Sequence, residues 1–326
     1  MITLDDTCPC GSGLKFGDCC YKRMQRRSAS GISSEVGELL KGKNFASLEE
    51  ANRFLGSYME QRNSAPLDDF CGLSPAQMHK LLDLPFESPE LAEFPVDLGE
   101  SIDAPVMQLF NHLAEAIGED GLKATATGNL PQKFVKATFA NYDTERYPLL
   151  SPRIEPEYQE LHTCRILAEM SGFIRRYKGK YVLIKRCRDL LAKGRQGEIY
   201  QALLKTCVTE FNWAYNDAMA EIPTIRRTWL YTLYLLYRNG SEFRPQKFYE
   251  GAFLRAFPLV MKEIARERAY GTPEEYIRHA YTLRTIERFA VFFGLAEAKK
   301  LPGEKFRAPI VVKGTELLER AVVLHV

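Results

Sequence analysis

Only five of the 326 residues are histidine and two are tryptophan. His79, His112, His162, His279 and His325 stand apart from one another. None sits in a carboxylate-pair or nucleophile motif, so acid/base and catalytic-metal chemistry have no visible constellation. His162 and Cys164 come nearest, but two residues apart on a helix they point in different directions. The phosphate-cradling pattern Gly-x-x-x-x-Gly-Lys-Ser/Thr is missing, which removes P-loop nucleotide hydrolysis. Charge of one sign is also missing in bulk: 44 basic against 42 acidic residues leave a net charge of +2, so no whole-chain field attracts nucleic acid or membrane. The longest apolar run with aromatics, Trp229 to Tyr237, is too short to span a bilayer. The first residues, Met1 to Asp6, lack the basic start and apolar centre of a secretion signal. The expectation is therefore a cytoplasmic protein that is not an enzyme, with hydrolase or nuclease activity unsupported, no membrane span and no small-molecule substrate.

What the chain does have is cysteine in one place. Four of its eight cysteines lie within thirteen residues, as Cys8-Pro9-Cys10-Gly11-Ser12-Gly13 and then Cys19-Cys20. Four thiolates complete a closed tetrahedral site of the structural zinc type, with no position left for chemistry. Zinc suits them because it is borderline-soft and indifferent to redox state. Gly11 and Gly13 allow a tight turn that presents amide groups toward the sulfurs. The competing reading is a pair of disulfides in a small secreted knot. Against it stand the missing secretion signal and the single, scattered Cys71, Cys164, Cys187 and Cys207, which suit reduced thiols. Adjacent Cys19 and Cys20 are also poor disulfide partners for each other. One structural Zn2+ per chain on Cys8, Cys10, Cys19 and Cys20 is expected.

The run Cys-Pro-Cys-Gly-Ser-Gly-Leu-Lys-Phe-Gly-Asp-Cys-Cys resembles the SEC-C zinc motif, found in the C-terminal tail of the SecA translocation ATPase and in many stand-alone bacterial proteins. The resemblance covers residues 7–23. It implies that all four cysteines bind zinc, with Ser12 in the family's small-polar turn and Lys15 and Phe16 before the second cysteine pair. It also implies a docking module, because the SecA copy contacts the chaperone SecB and the ribosome. Translocase activity is not implied.

Residues 1–27 are read as this zinc knuckle with a basic tail, in which Lys22, Arg23, Arg26 and Arg27 are candidate contacts for an acidic partner. Residues 28–101 are read as a linker and a small helical segment. Within them, Ser47-Leu48-Glu49-Glu50 is a capping box opening a helix to about Gln61. Ser74 and Pro75 start a second helix as N-cap and first residue. Residues 85–101, rich in proline and acid, are expected to be a loop.

Beyond residue 100 the chain repeats itself. Pro131-Gln132-Lys133-Phe134 recurs as Pro245-Gln246-Lys247-Phe248, and Phe139 and Phe253 follow at the same offset. An amphipathic helix precedes each (Ala104 to Ile117, Ile225 to Arg238), and a helix ending at glycine follows each (Glu157 to Ser171 before Gly172, Glu274 to Phe293 before Gly294). The period then becomes extended. Phe173 to Ile184 reads as two strands around a glycine turn, and Leu295–Lys299 with Phe306–Val312 as two strands around Pro302-Gly303. Short helices close both, at Asp189-Leu190-Leu191 and Glu316-Leu317-Leu318. Three helices and a hairpin are the order of a winged helix, giving one unit at 102–193 and another at 224–326, joined across 194–223 by one long helix that extends from Gly194 to Glu221. The fold class expected is mainly α with small β-hairpins.

Wings raise the question of nucleic acid. Arg175, Arg176, Lys178, Lys180, Lys185, Arg186 and Arg188 crowd the first hairpin beside Tyr177 and Tyr181, a pattern suited to phosphates. The third helix argues against duplex DNA: Glu155, Glu157 and Glu160 would face the phosphates, leaving only His162 and Arg165 for base edges. Glu274 and Glu275 repeat the problem in the second unit, whose basic residues are Arg278, His279, Lys299, Lys300 and Lys305. The function expected is a zinc-stabilised adaptor that docks through its knuckle onto a protein or ribonucleoprotein such as the ribosome. The alternative is a DNA-binding regulator using the basic wing Arg175–Arg188, and RNA or ribosome contact by that wing, or a solvated hairpin with no partner, stays open beside it. Cys187, between two arginines, is read as a packing residue rather than a reactive thiol.

Overall fold

Helix-capping chemistry in the N-terminal third lands where its residues place it. The computed structural model describes residues 4–8, 12–22, 37–99, 101–145, 147–264, 271–301 and 308–326, without the side chain of Cys20. Helix α1 (Leu48–Ser64) starts at Ser47, whose hydroxyl accepts the Glu50 amide at 3.2 Å. The Glu50 carboxylate turns back to the amide of Ala46 (2.6 Å) rather than to that of Ser47, so the expected box is only half made. Helix α2 (Pro75–Asp83) has the complete reciprocal box between Ser74 and Gln77, with Pro75 at its first position. Downstream, β1 is the short strand Ala92–Glu93.

Two units of the same element order follow. The first comprises α3 (Pro105–Ile117), β2 (Leu122–Lys123), α4 (Gln132–Tyr142), α5 (Gln159–Met170), β3 (Ile174–Tyr177) and β4 (Lys180–Leu183). Next come α6 (Lys185–Ala192), α7 (Gln196–Thr209) and α8 (Pro223–Arg227). The second unit comprises α9 (Trp229–Asn239), β5 (Arg244–Pro245), α10 (Gln246–Ala256), α11 (Pro273–Tyr281), β6 (Ala296–Lys300) and β7 (Ile310–Gly314). The chain ends with α12 (Glu316–Ala321) and β8 (Val323–Leu324). Both three-stranded sheets are antiparallel and place the last hairpin strand in the middle, in the orders β2-β4-β3 and β5-β7-β6. The chain is thus mainly α with small antiparallel sheets. The repeated proline is an extended N-cap in both copies, with ψ of 140° at Pro131 and at Pro245.

Several expectations change. The long linking helix stops at Thr209, because the next turn satisfies its backbone locally: Asn212 accepts the Ala214 amide and Asp217 the Met219 amide, each at 2.9 Å. Asn216 and Ala218 there take positive φ, which no helix continues through. The helix expected from Ile225 is interrupted at Thr228, between α8 and α9. The third helix of the second unit continues beyond α11 as a wider π-helical stretch, Thr282–Val291. Lys178 and Gly179 both have positive φ, giving the first hairpin the two-residue turn whose twist matches its strands. Helix α6 begins at Lys185, so Lys185 and Arg186 stand on a helix rather than on the wing. The edge strands β2 and β5 were not expected, since two residues carry no period.

A single hydrophobic core runs from Leu73 to Leu324 and takes side chains from both units. Residues 85–99 are loop as expected apart from β1, and they help to build the core through Leu91, Ala92 and Leu98. Strand β1 pairs with β8, and the Gln201 amide donates to both Pro95 O (2.8 Å) and Ala321 O (2.9 Å). The units meet where the Val106 amide donates to Phe292 O at 3.0 Å and the Tyr200 hydroxyl to Phe293 O at 2.8 Å. Gly294 lies at this meeting point with φ +69°, and a Cβ there would stand 2.6 Å from Asp103 O. Its counterpart Gly172 has the same φ but nothing within 4 Å of an added Cβ.

This pair separates conformational strain from steric overlap. Gly172→Ala should cost about 1–2 kcal/mol, the strain of an alanine in the left-handed region. Gly294→Ala should cost measurably more, because backbone must also move. Urea unfolding of the two variants against the parent tests this, and equal losses would refute the close-contact account.

Candidate metal centre and basic surface

The cysteine segment folds on itself. Thr7 and Lys15 form an antiparallel bridge, flanked by Cys8 N–H donating to Leu14 O, Phe16 N–H to Asp6 O (both 2.7 Å) and Gly17 N–H to Leu4 O (2.8 Å). Gly13, at φ +72°, sits in the connecting turn. The chain then winds into a wide helical turn, Gly17–Tyr21, in which the Tyr21 amide donates to Phe16 O at 3.0 Å. Hairpin and turn together bury Cys8 and Cys19, each 2 % exposed, against Phe16, with Tyr21 alongside at a ring distance of 5.8 Å from Phe16. This cluster is separate from the main core.

The donor chemistry suits a borderline-soft cation. The Ser12 hydroxyl donates to Cys19 Sγ at 3.1 Å, the kind of outer hydrogen bond that steadies a metal-bound thiolate. Cys10 and the side chain of Cys20 lie outside the described residues, as do Gly11, Arg23, Arg26 and Arg27. Among the described residues no group of three or more His, Cys, Asp or Glu side chains is placed to hold a metal ion. Lys22 is exposed and helical, directly after the turn.

Arg175, Arg176, Lys178, Lys180, Lys185 and Arg186 are all exposed, as is Arg188. Ile174, Tyr181 and Leu183 point into the core, so Arg175, Tyr177, Lys180 and Val182 face outward. Strand β2 adds Lys123, paired with Lys180, to that face. Arg175 and Lys178 each lie 5.3 Å from the centre of the Tyr177 ring. The Lys180 ammonium donates to Asp120 O at 2.9 Å.

The third helix looks the other way. Glu155, expected to face phosphates, is fully buried and accepts from Leu130 N–H (2.5 Å), His162 Nδ1 (2.7 Å) and Arg165 Nε (2.7 Å). Burial alone would raise the Glu155 carboxyl, but the His162 hydrogen bond and the Arg165 charge outweigh it and hold it below its ordinary range. His162 also meets the Tyr215 hydroxyl at 3.0 Å. The two side chains expected for base edges are therefore committed inward. Glu157 accepts the Arg153 amide at 2.7 Å, and Glu160 accepts the Tyr147 hydroxyl at 2.5 Å. In the second unit Glu275 completes the capping box of α11 and Glu274 pairs with Arg278 at 2.7 Å. Lys299 pairs with Glu297 at 3.1 Å, while Lys305 lies outside the described residues.

Histidines that look isolated in sequence acquire carboxylates in space: besides His162, His79 meets Asp83 at 2.9 Å and His325 meets Glu93 at 3.0 Å. Sequence spacing signals only the first of these, four residues apart on one helix. Cys187 sits buried on α6, where burial pushes its thiol up to about 11 and Arg188 offsets only part of the rise. Cys164 and Cys207 are buried too, and burial raises both thiols further. A cleft of about 250 Å³ opens between the units, lined by Tyr147, Glu157, Glu160, Glu287 and Arg288 among others. No helix among the described residues is long and apolar enough to cross a membrane.

The family model described as SEC-C motif matches residues 6–22, so the chain carries that motif. No curated protein and no solved structure matches the chain.

The Glu155 ion pair makes a pH prediction. Its lowered carboxyl stabilises the fold fully above the ordinary glutamate value of about 4.3 and ceases to do so as pH falls through the folded value. Glu155→Ala leaves His162 buried without its carboxylate and Arg165 with Glu169 alone, and should cost about 3 kcal/mol at pH 7. Urea midpoints of parent and Glu155→Gln should differ most at neutral pH and draw together as pH falls below the ordinary glutamate value of about 4.3. A gap that stays constant with pH would rule the linkage out.

Proposed function

We propose that this chain is a non-enzymatic adaptor that docks onto a protein or ribonucleoprotein partner through a zinc-bearing knuckle. The observation that carries the reading is the isolation of the SEC-C segment: its small cluster of Cys8, Phe16 and Cys19 adds nothing to the main core. A cluster that small cannot hold a fold by burial alone, and a metal supplies the missing energy. Cys8, Cys10, Cys19 and Cys20 would hold one Zn2+, with Ser12 steadying Cys19. The metal would fix the shape of the knuckle and supply no chemistry. Lys22, Arg23, Arg26 and Arg27 would extend the docking surface toward an acidic partner.

The rest of the chain is read as a platform of two winged-helix-like units. Three helices and a hairpin in each, with the early short strand joined to the hairpin's last strand, support that assignment. Helix α7 and the segment around β1 bind the units to each other. The alternative of a DNA regulator draws support from the exposed basic hairpin. It lacks a reader, because His162 and Arg165 are spent on Glu155. Adaptor function in the cytoplasm is therefore the preferred reading.

Metal analysis of the purified chain should give about one zinc per chain, and Cys19→Ser with Cys20→Ser should abolish it. Amide signals from residues 6–22 should collapse in that variant while the main core stays intact; a metal-free parent with an ordered knuckle would end the zinc reading. Separately, full-length chain used as bait should retain a partner that the Cys8→Ser chain releases. Identical recovery by both would show that the knuckle does not dock.

A further inference from the structure

The first three-stranded sheet carries an arrangement that its own stability does not explain. Register aligns Lys123, Lys180 and Tyr177 in one row across β2, β4 and β3, with Val182 and Arg175 in the next row of the same face. Lys123 stands directly opposite Lys180, and like charges at paired positions destabilise a sheet. None of the three strands contains an acidic residue. Several cations elsewhere are paired: Arg165 with Glu155, Arg227 with Asp83, Arg278 with Glu274 and Arg284 with Asp217. Among the described residues Lys123, Arg175, Lys178 and Lys180 have no carboxylate within ion-pair distance. Lys185 and Arg186 continue the pattern at the N-terminal turn of α6, where the helix dipole disfavours cations. In the middle of these charges lies Tyr177, 50 % exposed, with its ring flanked by Arg175 and Lys178.

We infer that this outer sheet face binds single-stranded RNA. A row of unpaired cations around an exposed aromatic is complementary to a phosphate chain whose bases are free to stack. A duplex would offer the surface phosphates but hide its base faces from Tyr177, and the neighbouring third helix has no free side chain to read a groove. RNA is the form in which unpaired bases are abundant in a cell. The inference stands on the sheet alone and does not depend on the knuckle docking anything.

The test is fluorescence anisotropy of the full-length, zinc-replete chain with a labelled 20-nucleotide single-stranded RNA, the same sequence as single-stranded DNA, and the DNA duplex. Four cations on phosphates predict a salt slope of about −2.8, an affinity loss of about 50-fold between 50 and 200 mM salt. Lys123→Gln with Arg175→Gln and Lys180→Gln should weaken binding at least about tenfold and flatten the slope by about 2. Tyr177→Ala should weaken binding at least about fivefold with the slope unchanged, and Tyr177→Phe should restore it. Lys247→Gln with Lys262→Gln, exposed cations of the second unit, should change nothing. RNA should bind at least as tightly as single-stranded DNA and about tenfold tighter than duplex. Preference for duplex or for single-stranded DNA, absence of binding at 50 mM salt, or indifference to Tyr177→Ala would each overturn the inference. Retained zinc and an unfolding midpoint no lower than the parent's in each variant exclude misfolding as the cause, and relief of the Lys123–Lys180 repulsion should raise the midpoint of the triple variant.

Discussion

Backbone contact between residues 103–106 and the end of the second unit's third helix governs the architecture. Gly294 allows Asp103 and Ala104 to approach within van der Waals range, and Val106 then donates to the Phe292 carbonyl. That junction joins two similar units at the level of main chain, where no side-chain rearrangement can loosen it. Helix α7 lies against it through Tyr200, and Gly197 brings Val96 closer still: an added Cβ would stand 1.9 Å from Val96 O. Strand β1, α7 and the C-terminal β8 are thereby stitched into one core.

This packing decides where charge is visible. Of the carboxylates that open the first unit's third helix, Glu155 is buried with His162 and Arg165, Glu160 accepts a hydroxyl, and the exposed Glu157 accepts a backbone amide. A buried pair of this kind is expensive to break, since removing one partner strands the other in a poor dielectric. Arg284 of the second unit is buried in the same way against Asp217 of the linking segment. Among the described residues, Arg175, Lys178 and Lys180 of the first hairpin are left at the surface without a carboxylate partner.

The cysteine segment follows a different logic. Its described buried residues are too few to resist the entropy of an unfolded chain, and among the described residues its backbone bonds close a small hairpin and one turn. Metal binding at four thiolates would do for it what hydrophobic burial does for the rest. Motif and platform would then be stabilised by unlike forces.

Local chemistry made much of this legible from residues alone. The cysteine spacing identified the motif, Ser74-Pro75 placed a helix start, and the repeated Pro-Gln-Lys-Phe located equivalent helices in both units. Each depends on neighbours in the chain, so the residue pattern carries it. The break in the linking helix after Thr209, the π-helical widening after Tyr281 and the two-residue edge strands had no such pattern, because distant partners or isolated side-chain bonds created them. The site divides the same way. Sequence by itself determined which residues could bind metal and which stretch was basic. Only the tertiary structure decided that Glu155 would bury itself between His162 and Arg165, and that Lys123 would join Lys180 and Tyr177 across three strands. Register and burial are set by contacts between residues tens of positions apart, and those contacts exist only once the chain has closed on itself.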